Sequence, residues 1–306
     1  MGYDTRCKPT PSATRCGDCD PTVRRLRVVI EHDGRRRIVH PVADDIARVF
    51  ADAIASDPTR PLLTWYDDAT GERTELSGAT LANWVAKTGN LLVDDVAAGP
   101  GSVAGVLLPP HWQTAAVLLG CWSAGLTVAG TPGPAGAMAG TPGPAGAMAG
   151  TPGPAGAMAG TPRPAGAVAG APGPVDVLFA AADRVGEADA WSAGERYALA
   201  LAPFAAPLRE LPAGWADYVI EVRGHGDHFT PYPGGRELVG VAAERAATLG
   251  LTGGDRVLVD AARHPDPVDW LLAPLTVGAS VVLCGNLDPT RVESRRSAEK
   301  ITRPLT

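Results

Sequence analysis

Apolar positions along this chain switch repeatedly between a helical and an extended period. Ile46, Val49, Phe50, Ala53 and Ile54 recur at helical spacing, and Asp57-Pro58 closes a helix predicted over about residues 44–56. Leu62-Leu63-Thr64-Trp65-Tyr66 predicts a strand, and residues 67–71 turn the chain back. Thr74-Glu75-Leu76-Ser77 leads into a second helix, with Leu81, Trp84, Val85, Thr88 and Leu92 on one face and Gly99-Pro100-Gly101 as its stop. Residues 103–108 predict a buried strand, 112–124 a hydrophobic helix and 126–129 the start of another strand. Beyond residue 174, strands are predicted over 177–180, 197–202, 218–222, 253–259 and 278–283, with helices over 237–249 and 269–275. Strands alternating with helices predict an α/β fold, a parallel-type sheet with helices on both faces.

The ends and the middle follow other rules. Residues 1–22 carry Pro, Ser, Thr, Gly and three cysteines with almost nothing to bury, which predicts a disordered tail. Cys16-Gly-Asp-Cys19 with Cys7 offers three thiolates, but a closed zinc site needs four ligands and no second C-x-x-C follows, so no metal is expected. Residues 24–40 predict a β-hairpin around Asp33-Gly34. Six arginines crowd it (24, 25, 27, 35, 36 and 37), yet no aromatic side chains are interleaved to stack bases, so a solvated face is expected. From Ala129 a decapeptide, Ala-Gly-Thr-Pro-Gly-Pro-Ala-Gly-Ala-Met, recurs at 139, 149 and, altered, at 159, with a partial copy from 169. Glycine falls every third residue within a copy, but a ten-residue period breaks the triplet register, so no collagen-like helix can propagate. The chain therefore divides into an N-terminal extension (1–41), a first α/β part (42–128), the repeat (129–174), a second α/β part (175–290) and a polar tail (291–306).

Composition narrows the partners. At 306 residues, with 45% hydrophobic and 20% charged residues, the chain can build a sizeable core, and a net charge of -6 gives no reason to expect a nucleic acid. All but three of the 27 basic residues are arginine, a bias that fits a GC-rich bacterial genome. No apolar leader opens the sequence, which points to the cytoplasm. Residues 101–130 carry no formal charge, but Pro109, Pro110, His111 and Gln113 interrupt them. A buried helix and strand, not a membrane span, is the expectation. Cys121 and Cys284 sit in apolar runs and read as buried, reduced thiols.

Several of these segments together resemble the start of the adenylate-forming superfamily: acyl-CoA synthetases, luciferases and adenylation domains. Thr64-Trp65-Tyr66, Thr74-Glu75-Leu76, the long helix, residues 103–110 and Cys121-Trp122-Ser123-Ala124-Gly125-Leu126 follow the family's early pattern. Gly101-Ser102 replaces its Asp-Arg and Pro110 its Asn. Residues 253–259, 269–275 and 278–283 continue the likeness. The resemblance implies the large N-terminal α/β domain of these enzymes. It also implies a phosphate loop at Phe229-Thr230-Pro231-Tyr232-Pro233-Gly234-Gly235-Arg236, and a substrate-side residue near His264.

The loop departs from the family pattern where chemistry is concentrated. Pro231, Tyr232, Pro233 and Gly234 replace Ser-Gly-Thr-Thr, and Leu238 stands where the lysine would be. Such loops act through hydroxyls, backbone N–H groups and a cation. What is left for a vestigial nucleotide site is Thr230, Gly234, Gly235 and Arg236. No catalytic residue is carried over, and neither the family's adenine and ribose motifs nor its C-terminal lid is found, so the sequence reads as truncated and degenerate. His225, Asp227 and His228 lack a third ligand at a familiar spacing and read as solvated loop polarity. The expected function is a non-catalytic or residual-binding relative without a cofactor; ATP or AMP with Mg enters only if the nucleotide site survives. An acyl or adenylate ligand and a protein partner are the contacts this implies, with no nucleic acid and no membrane. The alternatives are an acyl-activating subunit whose partner supplies the lid, and an interaction protein acting through the repeat or the arginine hairpin.

Overall fold

The computed structural model describes residues 45–130 and 173–306, together with the backbone of 27–30, 36–39 and 168–169. Cys7, Cys16, Cys19, the Asp33-Gly34 turn and the repeat copies over 131–167 lie outside the described residues. In the unit Met1–Val42, β1 (Arg27–Ile30) pairs antiparallel with β2 (Arg36–Val39), Arg27 opposite Val39, as the hairpin reading requires.

The unit Ala43–Thr306 begins with α1 (Ile46–Ile54), whose start is fixed by Asp45 accepting the Arg48 N–H at 2.7 Å. Next, β3 (Pro61–Asp67) and β4 (Glu72–Ser77) pair antiparallel, because four intervening residues cannot make the crossover that parallel strands need. Ser77 caps α2 (Gly78–Asp94), which buries Leu81, Val85, Thr88 and Leu92 as its periodicity predicts. There follow β5 (Val103–Leu107), α3 (Trp112–Ser123), β6 (Thr127–Ala129), β7 (Val168–Ala169), β8 (Val175–Ala181) and β9 (Ala193–Leu199). The chain continues through β10 (Ala216–Asp217), α4 (Tyr218–Arg223), α5 (Arg236–Thr248) and β11 (Arg256–Asp260). A π-helical turn (Val268–Leu272) leads into α6 (Ala273–Thr276), and β12 (Ser280–Gly285), α7 (Val292–Glu299) and β13 (Arg303–Leu305) complete the fold.

The α/β architecture is present, divided over two sheets. One has the order β10-β9-β8-β5-β6-β7 and is parallel throughout. The other, β13-β11-β12-β3-β4, is parallel except for its edge pair β3–β4. Period-two alternation shows how they are layered. Val177 and Phe179 of β8, Val257 and Val259 of β11 and Val281 and Leu283 of β12 join one core with α1, α2, α3, α5 and α6. The helices therefore lie between the sheets, and α3, buried along its whole length, is the centre of that layer. The opposite faces make smaller clusters: Leu178 and Ala180 pack with Trp191 and Trp215, and Leu258 and Val282 pack with Ile301 and Val292.

Two segments differ from their sequence reading. Residues 218–222 are not a strand. Asp217 accepts the N–H groups of Val219 and Ile220, and Tyr218, Val219 and Val222 are buried while Ile220 is 58% exposed. That is helical spacing; strand alternation would bury Ile220 with Tyr218 and Val222. The α/β fold also runs past residue 290. α7 lays Arg295 on the outer face of the second sheet, and β13 pairs with β11.

Candidate functional site

Thr230, Gly234, Gly235 and Arg236 lie in the loop before α5, and that loop is fastened to the helical layer at both ends. Lys87 donates to the carbonyl of His225 and lies 3.1 Å from Asp227. Asn90 donates to the carbonyls of Gly226 (2.9 Å) and His228 (3.0 Å), and the His225 ring faces Asp95 at 3.1 Å. Phe229 packs over α2 against Gly89, where a Cβ would meet its ring at 2.8 Å. The Tyr232 N–H goes to the Ser123 carbonyl (2.9 Å), and the Gly234 carbonyl accepts the Ile46 N–H (3.2 Å). Gly235 turns the chain into α5 at φ +79°, with a Cβ position only 2.5 Å from Ile46 Cδ1. Pro231 and Pro233 have no N–H to offer. The loop thus directs its backbone into the fold. Thr230 and Arg236 are exposed, and the pairs made by His225 and Asp227 explain those polar residues without a metal. Among the described residues no three His, Cys, Asp or Glu side chains come together as a metal site.

His264 follows β11 and is taken up elsewhere. Its Nδ1 lies 3.0 Å from Asp269, which also receives a two-pronged contact from Arg245 of α5 (2.6 and 2.9 Å). Burial opposes the Asp269 charge, but the bonds from Arg245 and His264 outweigh it and hold the carboxyl below its usual range. Arg245 is nine residues from Arg236, about 13 Å along the helix. Neither the loop residues nor His264 line the cavity described next.

That cavity, of about 600 Å³, opens where the carboxyl ends of strands from both sheets meet. This is where open α/β sheets place ligands. Trp65 and Asp67 come from the end of β3, Pro109, Pro110 and His111 from the loop after β5, and Asp183, Arg184 and Glu187 from the turns after β8. Ala261 and Ala262 follow β11, Gly285 ends β12 with Asn286 after it, and Glu72 faces in from β4. Gly285 lets the Trp65 indole lie against the backbone, since a Cβ there would come within 2.5 Å of the ring. Trp65 in turn meets His111 edge-on, centroids 4.7 Å apart.

His111 has two tasks. Its Nδ1 accepts the Gln113 N–H at 3.1 Å and so starts α3, while its Nε2, buried, has no partner. Burial pushes the imidazole down to about 3 despite the pull of Asp67, so the ring is neutral at pH 7 with its proton on Nε2. Burial raises the Glu72 carboxyl, reinforced by Asp67 and opposed by the bond from Thr74 (3.0 Å). Asp67 is held by the Ala69 N–H and the Asn286 amide, both at 2.9 Å. Arg184 is committed to Glu187 (2.7 Å). The walls thus carry four carboxylates against one guanidinium that is already paired. None of these side chains stood out in the sequence. The available signal was positional: polar residues directly after strands, in Tyr66-Asp67, Pro110-His111 and Gly285-Asn286.

No family model matches the chain. Among solved structures it is similar to an acyl-CoA synthetase of Brucella canis (TM-score 0.58, 16% identity, 84% of this chain and 46% of that one). It is also similar to the anthranilate CoA ligase AuaEII solved with anthranoyl-AMP (0.55, 13%, 86% and 49%) and to acetoacetyl-CoA synthetase from Streptomyces lividans (0.53, 14%, 82% and 40%). The chain spans less than half the length of each, and at these identities the likeness establishes the fold alone. Among curated sequences, the "TIGR03089 family protein" of Mycobacterium tuberculosis (strain ATCC 25618 / H37Rv) is 42% identical over 268 residues, 82% of this chain and 94% of the relative. On that match the chain belongs to the TIGR03089 family.

Proposed function

We propose that this protein is a small-molecule-binding relative of the acyl-CoA synthetases that does not itself carry out ATP-dependent acyl activation. The observation behind this reading is the use made of the 229–235 backbone. Two of its residues are prolines, and the Tyr232 N–H is taken by Ser123. A phosphate loop needs those donors free, with hydroxyls and a fixed cation beside them. The cavity is also ill suited to a triphosphate. A phosphate charge about 6 Å from a wall carboxylate is repelled by about 3 kcal/mol at an effective dielectric constant of about 20. The residues present therefore do not fit ATP with Mg, while the 600 Å³ cavity matches the size of small-molecule sites.

The test is substrate-dependent ATP–pyrophosphate exchange by the full chain against a panel of aliphatic and aromatic carboxylic acids. No exchange above the enzyme-free blank is expected. Exchange that depends on a particular acid would overturn the reading.

A further inference from the structure

We propose that the cavity at the strand ends is a site for a small organic cation, a protonated amine carrying a hydrogen-bond acceptor, and not for an acyl carboxylate or an adenylate. This rests on the reading of the chain as a binding protein and names the ligand class of the same cavity. Two independent observations carry it. The first is the charge of the walls: Asp67, Glu72, Asp183 and Glu187 face one guanidinium, and Arg184 is neutralised by its two bonds to Glu187 (2.7 and 3.2 Å). An anion entering there meets no unpaired cation among the lining residues, whereas an ammonium group meets carboxylates.

The second is His111, a wall residue only 2% exposed whose Nε2 has no hydrogen-bond partner. Because Nδ1 accepts the Gln113 N–H, Nε2 is the donor atom left for a ligand, and a buried donor without an acceptor is costly. An acceptor on the ligand would satisfy it. The indole of Trp65, which meets His111 edge-on, adds an apolar wall to the same cavity. A metal ion does not explain the acidic walls, since among the described residues no three candidate ligands converge.

A charge-swapped pair of probes tests this. Tyramine and 3-(4-hydroxyphenyl)propionate share a phenol and nearly the same length but carry opposite charges. Both are titrated by calorimetry into the full chain, into Glu72→Gln and into Asp67→Asn, with the melting temperature of each variant recorded. Tyramine should bind at least tenfold more tightly than the propionate, and either substitution should weaken it about tenfold. The near-isosteric Glu72→Gln keeps the test valid should Asp67→Asn disturb the turn at Asn286. Equal or reversed preference, no tyramine binding up to millimolar concentration, or tyramine binding that neither substitution weakens would overturn the assignment. These outcomes are separate from the exchange assay. Acid-dependent exchange defeats the non-catalytic reading whatever the amine preference, and a preference for the propionate leaves a binding protein with a different ligand.

Discussion

At Gly235 the chain enters α5 in the left-handed region, with the Ile46 side chain occupying the space where a Cβ would stand. Both facts penalise any other residue: alanine pays for the positive φ and forces Ile46 away from a site where it is 2% exposed. Gly235→Ala is expected to destabilise the protein by about 2–5 kcal/mol, combining roughly 1–2 for the backbone with 1–3 for overpacking. A denaturant melt checks this, and a change under about 0.5 kcal/mol would show that Ile46 yields without cost. The family resemblance implies a vestigial nucleotide-binding role for this glycine, and its geometry also meets the demands of the join between the loop and α1. Residue type alone cannot separate those roles, because close approach to a phosphate and close approach to a side chain both exclude a Cβ.

The elements read best from the sequence were those with a single clear period. α1, α2 and α5 lie where their spacing put them, and β8, β11 and β12 emerge as buried runs. The 218–222 segment was ambiguous because five residues, apolar except for Glu221, are too few to fix a period, and the deciding contact, the Asp217 cap, is local chemistry at its boundary. The cavity was less legible still, since it is assembled from strand ends that meet only after both sheets have formed. The polar segment after residue 290 hid another element. α7 carries Arg295, which reaches Asp68 by bonds of 2.6 and 3.1 Å, both side chains almost fully buried. It also carries Glu299, which accepts from Tyr66, Arg256 and Arg73. Arg295→Met should cost about 3 kcal/mol, measured by denaturant unfolding, because it leaves the buried Asp68 only the Asp288 N–H (2.8 Å) and the more exposed, more distant Arg291 (3.4 Å). Glu299 makes a prediction about acid. Burial opposes its charge, but the three donors hold its pKa down to about 2, below an unfolded value near 4.5. Its contribution, of order 3 kcal/mol, is therefore complete above pH ~4.5 and disappears as pH falls toward 2. Glu299→Gln should lower the melting temperature at pH 7 and narrow its gap to the parent protein between pH 4.5 and 2. A gap constant across that window would sink this account.

At the scale of the whole molecule, the strands are joined by connections of very different length. One of the longest runs within the first sheet from β6 to β7, whose pairing is parallel, Val128 opposite Val168 and Ala129 opposite Ala169. A parallel pair needs a connection of about a dozen residues or more. Here the connection beyond Gly130 comprises residues 131–167, 37 in all, built from near-identical copies of ten. Geometry therefore sets a minimum that the repeat exceeds about threefold, and copy number above that minimum should matter little. Halving a connection changes its closure entropy by only about 0.6 kcal/mol. Removing residues 139–158, two whole copies, leaves 17 residues, still enough to cross. The shortened protein should melt within about 2 °C of the parent and bind the same probes. Removing residues 129–168 is a different operation, because it deletes Ala129 of β6 and Val168 of β7 and brings the remaining connection below the minimum. That variant should lose the edge pairing and melt several degrees lower. If the two deletions were equally damaging, the copies themselves would be making contacts that stabilise the sheet. If both were silent, β7 would contribute nothing to it. The expected split between them identifies the repeat as a spacer whose lower bound is set by one parallel strand pair.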